Sequence, residues 1–176
     1  MLETIALLLI VLVCLAIVLY QARLFSKKND LKDTILLQSE ILKERQNYFL
    51  PHRMEAYQRA ILYLERIHPT SLVLRLNQPG VSAKAMEGLL LKTIRDEYDH
   101  NVAQQLFISN ASWTLLKSAK EETVRLVGLI GDQMNVEATS HEFASALISK
   151  TAEIKSLPSE IAIEALKSDF QKIFQI

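Results

Sequence analysis

Two Glu-x-x-His spacings are the features of this sequence best suited to chemistry: Glu65 with His68, and Glu97 with His100. Residues three apart share a helix face, and two such motifs on facing helices, completed by two further carboxylates, make the ligand set of a ferritin-like di-iron centre. Glu121, Glu122 or Glu142 would have to supply the missing carboxylates. The enzyme this would build is a membrane-tethered, metal-dependent di-iron carboxylate protein. Two observations weigh against it. His68 stands directly before Pro69, where a helix is ending. With Ile94 centred on the apolar stripe, His100 turns about 120° away, toward solvent. Glutamate is also common enough for the spacing to arise by chance. We therefore expect solvated or salt-bridged helix faces here, and assign no catalytic, cofactor-binding or metal-ligating residue.

Other charged groups read the same way. Asp96, Glu97, Asp99 and His100 form an acidic patch, but acid–base work needs a cleft and an opposing group, and pairing with Arg95 is the expected state. His52, Arg59 and Arg66 recur every seven residues and share a face that could meet anionic headgroups or an acidic partner. Glu55 and Glu65, interleaved with them, favour a solvated stripe instead. Asn110-Ala111-Ser112 matches a glycosylation sequon and is expected to be part of a helix cap. No P-loop, dinucleotide fingerprint, nucleophile elbow or zinc-protease motif occurs, and four glycines leave little for phosphate-cradling loops.

Composition sets the class. The 176 residues suffice for one ordinary domain. Twenty basic side chains balance twenty acidic ones, which argues against nucleic acid as a partner. With 49% hydrophobic and 23% charged residues, wholesale disorder is excluded. The single cysteine, Cys14, rules out an intrachain disulfide framework.

The elements that must position these residues begin with Ile5–Tyr20, an unbroken apolar run. With its flanks, residues 1–25 are expected to form one transmembrane helix across a hydrocarbon core of roughly 30 Å. Glu3 precedes the run, whereas Arg23, Lys27, Lys28 and Lys32 follow it. This order disfavours a cleaved signal peptide and places the N-terminus outside and the remainder in the cytoplasm. Residues 26–50 are expected to form a juxtamembrane helix with Leu31, Ile35, Leu42 and Phe49 on one face. Gln38 and Arg45 occupy the alternate seam positions and weaken any coiled coil. Leu50-Pro51 is expected to break or restart the helix.

Residues 51–176 are expected to form a cytoplasmic helical domain. Met54, Tyr57, Ile61 and Leu64 mark a first amphipathic helix, which His68-Pro69 ends. Leu72–Leu76 fits either a short helical turn or a buried extended piece, and Pro79-Gly80 a type II turn. Ser82 caps a helix to about Gln105 carrying Met86, Leu90, Ile94, Tyr98 and Val102. Ser109 caps the next, with Ile108 and Trp113 as a hydrophobic staple, and Gly128 and Gly131 offer close helix approach near its end. Thr139 and Glu142 make a capping box, and Pro158 opens a last helix whose apolar side includes Ile163, Leu166, Phe170, Ile173 and Phe174.

The run Leu50-Pro51-His52-Arg53 with Ala56-Tyr57, Leu64-Glu65-Arg66-Ile67, Leu74-Arg75, Gln78-Pro79-Gly80, Ile94 to Asn101, Gln104-Gln105 and Ser118 to Glu122 resembles a family of uncharacterised single-span membrane proteins from Bacteroidota. The resemblance covers roughly residues 45 to 130 together with the N-terminal run. It implies a single-pass protein of the bacterial inner membrane and supplies no activity, cofactor or site residues.

The expectation is an all-α chain: one transmembrane helix and a multi-helix cytoplasmic bundle. In function it is expected to be a membrane-anchored interaction or scaffold protein without catalysis, an accessory subunit of an inner-membrane assembly. Its partners would be the lipid bilayer and a membrane protein. Self-association through the juxtamembrane helix is the further alternative.

Overall fold

The computed structural model describes residues 2–174, with side chains described for 14–23, 25 and 35–172. Its elements are helical: α1 (Leu2–Ile67), α2 (Pro69–Leu76), α3 (Ala83–Asn101), α4 (Asn110–Gln133), α5 (Ser140–Glu153) and α6 (Pro158–Phe174), with a 3₁₀ turn at Val102–Leu106. The chain divides into two compact units, Met1–Leu50 and Pro51–Ile176.

The expected transmembrane helix is corrected. Among the described residues, no helix is long and apolar enough to cross a membrane. The part of the apolar run with described side chains begins at Cys14 and meets a charge at Arg23. The first part of the expected span, Met1–Val13, lies outside the residues with described side chains, as do Lys27, Lys28, Leu31 and Lys32. The expected break at Leu50-Pro51 is also corrected, because α1 runs through Pro51 to Ile67. Proline removes one backbone donor there, and the helix tolerates the loss.

In the first unit, most of the apolar side chains described on α1 are exposed. Leu15, Ile17, Val18, Leu19, Tyr20 and Phe25 are exposed, as are Ile35, Leu37, Ile41, Leu42, Tyr48 and Phe49. Tyr48 and Phe49 stack edge to face, 5.4 Å between centroids.

The second unit is built around the last stretch of α1. Ala56, Tyr57, Ala60, Tyr63, Leu64 and Ile67 recur at helical spacing and are all almost wholly buried. The buried face is centred differently from the expected one, since Met54 is 38% exposed while the two alanines lie inside. Alanine buries little area itself, but it lets neighbouring helices approach closely. Met86, Leu90 and Ile94 of α3, Leu116, Val127 and Ile130 of α4, Phe143 and Leu147 of α5, and Leu166 of α6 complete this core. α4 is central, packing on α3, α5 and α6.

Local signals set the boundaries. Ser82 and Ser109 cap α3 and α4 by accepting hydrogen bonds from the Ala85 and Ser112 amides. Thr139 and Glu142 form the capping box of α5. Gly80 adopts φ 81°, the left-handed conformation that the third position of a type II turn requires. Leu72–Leu76 is helical, the end of α2, with Leu72 and Val73 buried. A single antiparallel bridge joins Ser82 to Thr139. The Ala83 amide donates to Ala138 and the Ser140 amide to Val81, each at 2.8 Å, so α3 and α5 start from one stapled point.

The close helix approach expected at Gly128 and Gly131 is corrected: Gly128 has open space around it, and Gly131 makes room for a side chain. A Cβ at Gly131 would fall on the carboxylate of Glu87, a buried side chain that Lys84 pairs at 2.7 Å. These atoms are the far end of a flexible side chain that can shift, and alanine suits a helix better than glycine. Gly131→Ala should therefore change stability by no more than about 1 kcal/mol in chemical denaturation. In a Glu87→Ala background the same substitution should be neutral or stabilising.

Candidate functional site

Asp169 on α6 is the meeting point of three elements. Tyr57 of α1 donates its hydroxyl to Asp169 Oδ2 at 2.6 Å, and Ser112 Oγ of α4 donates to the same oxygen at 3.1 Å. The Tyr57 ring also lies edge to face against Phe170, 5.6 Å between centroids. Burial pushes the Asp169 carboxyl up, but hydrogen bonds from Ser109, Tyr57 and Ser112 outweigh it and hold the group below the usual carboxylate range. Burial first, then the bond to Asp169 and its charge, raise Tyr57 to about 12. Neither group therefore exchanges a proton near neutral pH. The trio works as an ionic hydrogen-bonded tie between α1, α4 and α6.

A second cluster joins α1, α2 and α3. Glu97 accepts from Arg66 Nε at 2.7 Å and lies 3.5 Å from Arg75, and Arg75 in turn donates to the Arg66 carbonyl at 3.2 Å. The expected pairing of the acidic patch with Arg95 is replaced: Glu97 is taken by Arg66 and Arg75, and Asp96 by Lys92. Beside this, Tyr63, Tyr98 and Trp113 form an aromatic chain with centroids 6.1 and 6.0 Å apart, and the Lys120 ammonium sits 4.5 Å above the Tyr98 ring. The Tyr63 hydroxyl and the Trp113 indole nitrogen are buried without hydrogen-bond partners. Burial pushes the Tyr63 hydroxyl well up, and negative charge around it adds to the shift. Sequence reasoning missed both clusters, because their partners lie far apart along the chain.

The Glu-x-x-His residues are placed as follows. Glu65 is exposed, and His68 caps α2 without a side-chain hydrogen bond. Glu97 is held by its two arginines, and His100 Nδ1 lies against the Asp96 carbonyl on the exposed side of α3. Among the described residues no group of three or more histidine, cysteine, aspartate or glutamate side chains is positioned to hold a metal ion. The periodic basic residues also separate: Arg59 pairs with Glu55 at 2.7 Å, while His52 stacks on Phe107 with centroids 6.0 Å apart.

Among the clefts formed by the described residues of this unit, two bear on function. One, about 420 Å³, is lined by charged groups that are already paired, Glu55 with Arg59 and Arg66 with Glu97. The other, about 320 Å³, lies among α4, the segment before α6 and the first residues of α2 and α6, and is mainly apolar.

Comparison with known proteins bears on the whole chain. The model of a family of unknown function, DUF7935, matches residues 1–173. The chain belongs to the DUF7935 family. The match extends well beyond the resemblance, taking in the C-terminal helices as well. No curated protein matches the chain. No solved structure matches it either.

Two substitutions separate the two buried tyrosines. Tyr57→Phe leaves Asp169 short of a donor and should cost about 1.5–3 kcal/mol, whereas Tyr63→Phe removes an unpartnered hydroxyl and should be neutral or stabilising in the same melt.

The tie also has a pH signature. Asp169, depressed in the folded state, contributes stability above the ordinary carboxylate pKa of about 4 and loses it as pH falls further. Tyr57, raised to about 12, contributes below its ordinary value of 10 and loses that contribution between pH 10 and 12. Denaturation at stepped pH should show both declines. Tyr57→Phe should abolish the alkaline one attributable to this residue.

Proposed function

We propose that this protein is a helical interaction or scaffold module, an accessory subunit that holds a partner protein through the first unit of α1. The observation that carries this reading is the set of apolar side chains exposed there, Ile35, Leu37, Ile41, Leu42 and Phe49. A helix with such a face gains stability by covering it, and a partner helix or apolar groove would do so. Gln38 and Arg45 lie within that face. They favour a partner that offers polar groups at matching positions over a purely apolar seam. The role uses no proton transfer, in keeping with the Asp169 tie, whose groups stay fixed in charge around neutrality. The resemblance to Bacteroidota proteins suggests a Gram-negative cell, with the cytoplasmic side of the inner membrane as the setting.

Photo-crosslinking in cells tests this. A benzophenone side chain at position 41 or 42 of the full chain should give one defined adduct with another protein. Leu37→Asp should reduce its yield at least tenfold while leaving the melting temperature of the protein nearly unchanged, as expected of an exposed position. A labelled product containing only a second copy of this chain would favour self-association instead. The absence of any defined adduct would refute the reading.

A further inference from the structure

The smaller cleft of the second unit carries features that no role so far accounts for. Pro69, Leu126, Leu129, Ile154, Leu157 and Pro158 make most of its lining, and its volume of about 320 Å³ falls within the range of small-molecule sites. Ser159 lines it too, at only 2% exposure, and its hydroxyl has no hydrogen-bond partner. A buried hydroxyl without a partner is costly, and a polar atom entering the cleft would relieve it.

Ser159 stands in the first turn of α6, where backbone N–H groups lack intrahelical partners. The Glu160 carboxylate already occupies one nearby donor, accepting from the Leu157 amide at 2.9 Å. At the rim, Arg125 is paired with Glu122 at 2.8 Å, so its charge is largely cancelled. Glu122 and Arg125 are the charged groups of the lining and they neutralise each other, so the cleft offers no unpaired charge to a ligand.

From these observations we infer that the cleft binds an uncharged amphiphile, an aliphatic chain ending in a neutral hydrogen-bond acceptor such as an amide or ester carbonyl. The chain lies against Leu126, Leu129 and Leu157, and the carbonyl accepts from the Ser159 hydroxyl. A carboxylate of the same chain length would give up its hydration in a mainly apolar cleft whose one guanidinium is already paired, and so binds more weakly. The apolar lining supplies affinity, and the Ser159 hydroxyl, with no unpaired cation beside it, supplies the selection between head groups.

Titration of the full chain with octanamide and with octanoate, followed by amide chemical shifts, tests this directly. Octanamide should shift the resonances of residues 126, 129, 157 and 159 saturably, and octanoate should bind at least tenfold more weakly. Ser159→Ala should weaken octanamide about five- to tenfold, the size of one neutral hydrogen bond. Leu129→Gln, at a partly exposed lining position, should weaken both ligands and keeps the test open should Ser159→Ala fold poorly. Equal binding of the two ligands, unchanged octanamide affinity in Ser159→Ala, or no saturable shifts at these residues would each overturn the inference.

Discussion

The burial of one face of α1, from Ala56 to Ile67, is the constraint on which the second unit depends. Six side chains along three turns are almost completely enclosed, and the other helices supply the residues that enclose them. Fully burying a large apolar side chain is worth about 1.5–3 kcal/mol, so this single face accounts for a substantial part of the stability such a domain can have. Tyr57 and Tyr63 illustrate the two ways a polar group survives there. One hands its proton donor to an ionised carboxylate, and the other is simply carried inside with its hydroxyl unmatched.

That core explains why polar chemistry is pushed to its margin and spent on structure. Asp169 gathers donors from three elements, and Glu97 is clasped by Arg66 and Arg75. The Glu87 carboxylate occupies the space left by Gly131. The first two link helices distant in sequence, and the third fills a gap between α3 and α4. A histidine–carboxylate centre would need the same side chains to converge on one point, and the helix faces send them in different directions.

What was legible in the sequence was mostly local. Serine, threonine and proline at helix starts, the Thr139–Glu142 box and the positive φ at Gly80 act within four residues, so a reader of the chain finds them. The buried face of α1 was misjudged because alanine carries little weight in a hydrophobic pattern, yet Ala56 and Ala60 are wholly enclosed. The Tyr57–Asp169 bond spans 112 positions and leaves no local trace. Leu72–Leu76 could not be resolved by periodicity, because five apolar-rich residues fit strand and helix equally; α2 exists because Leu72 and Val73 find the core. The unmatched Ser159 hydroxyl likewise shows only when packing is known. The apolar N-terminal run was conspicuous, but the expectation drawn from it is not met among the described residues.

The most direct test is amide hydrogen exchange on the intact chain, resolved by residue along α1. Residues 56–67 should exchange only through global unfolding, with the same protection as Leu90 and Leu116. Residues 35–49, whose apolar side chains are open, should exchange orders of magnitude faster. Equal protection along both stretches, or rapid exchange at Tyr57, Leu64 and Ile67, would contradict the claim that this one face holds the domain together.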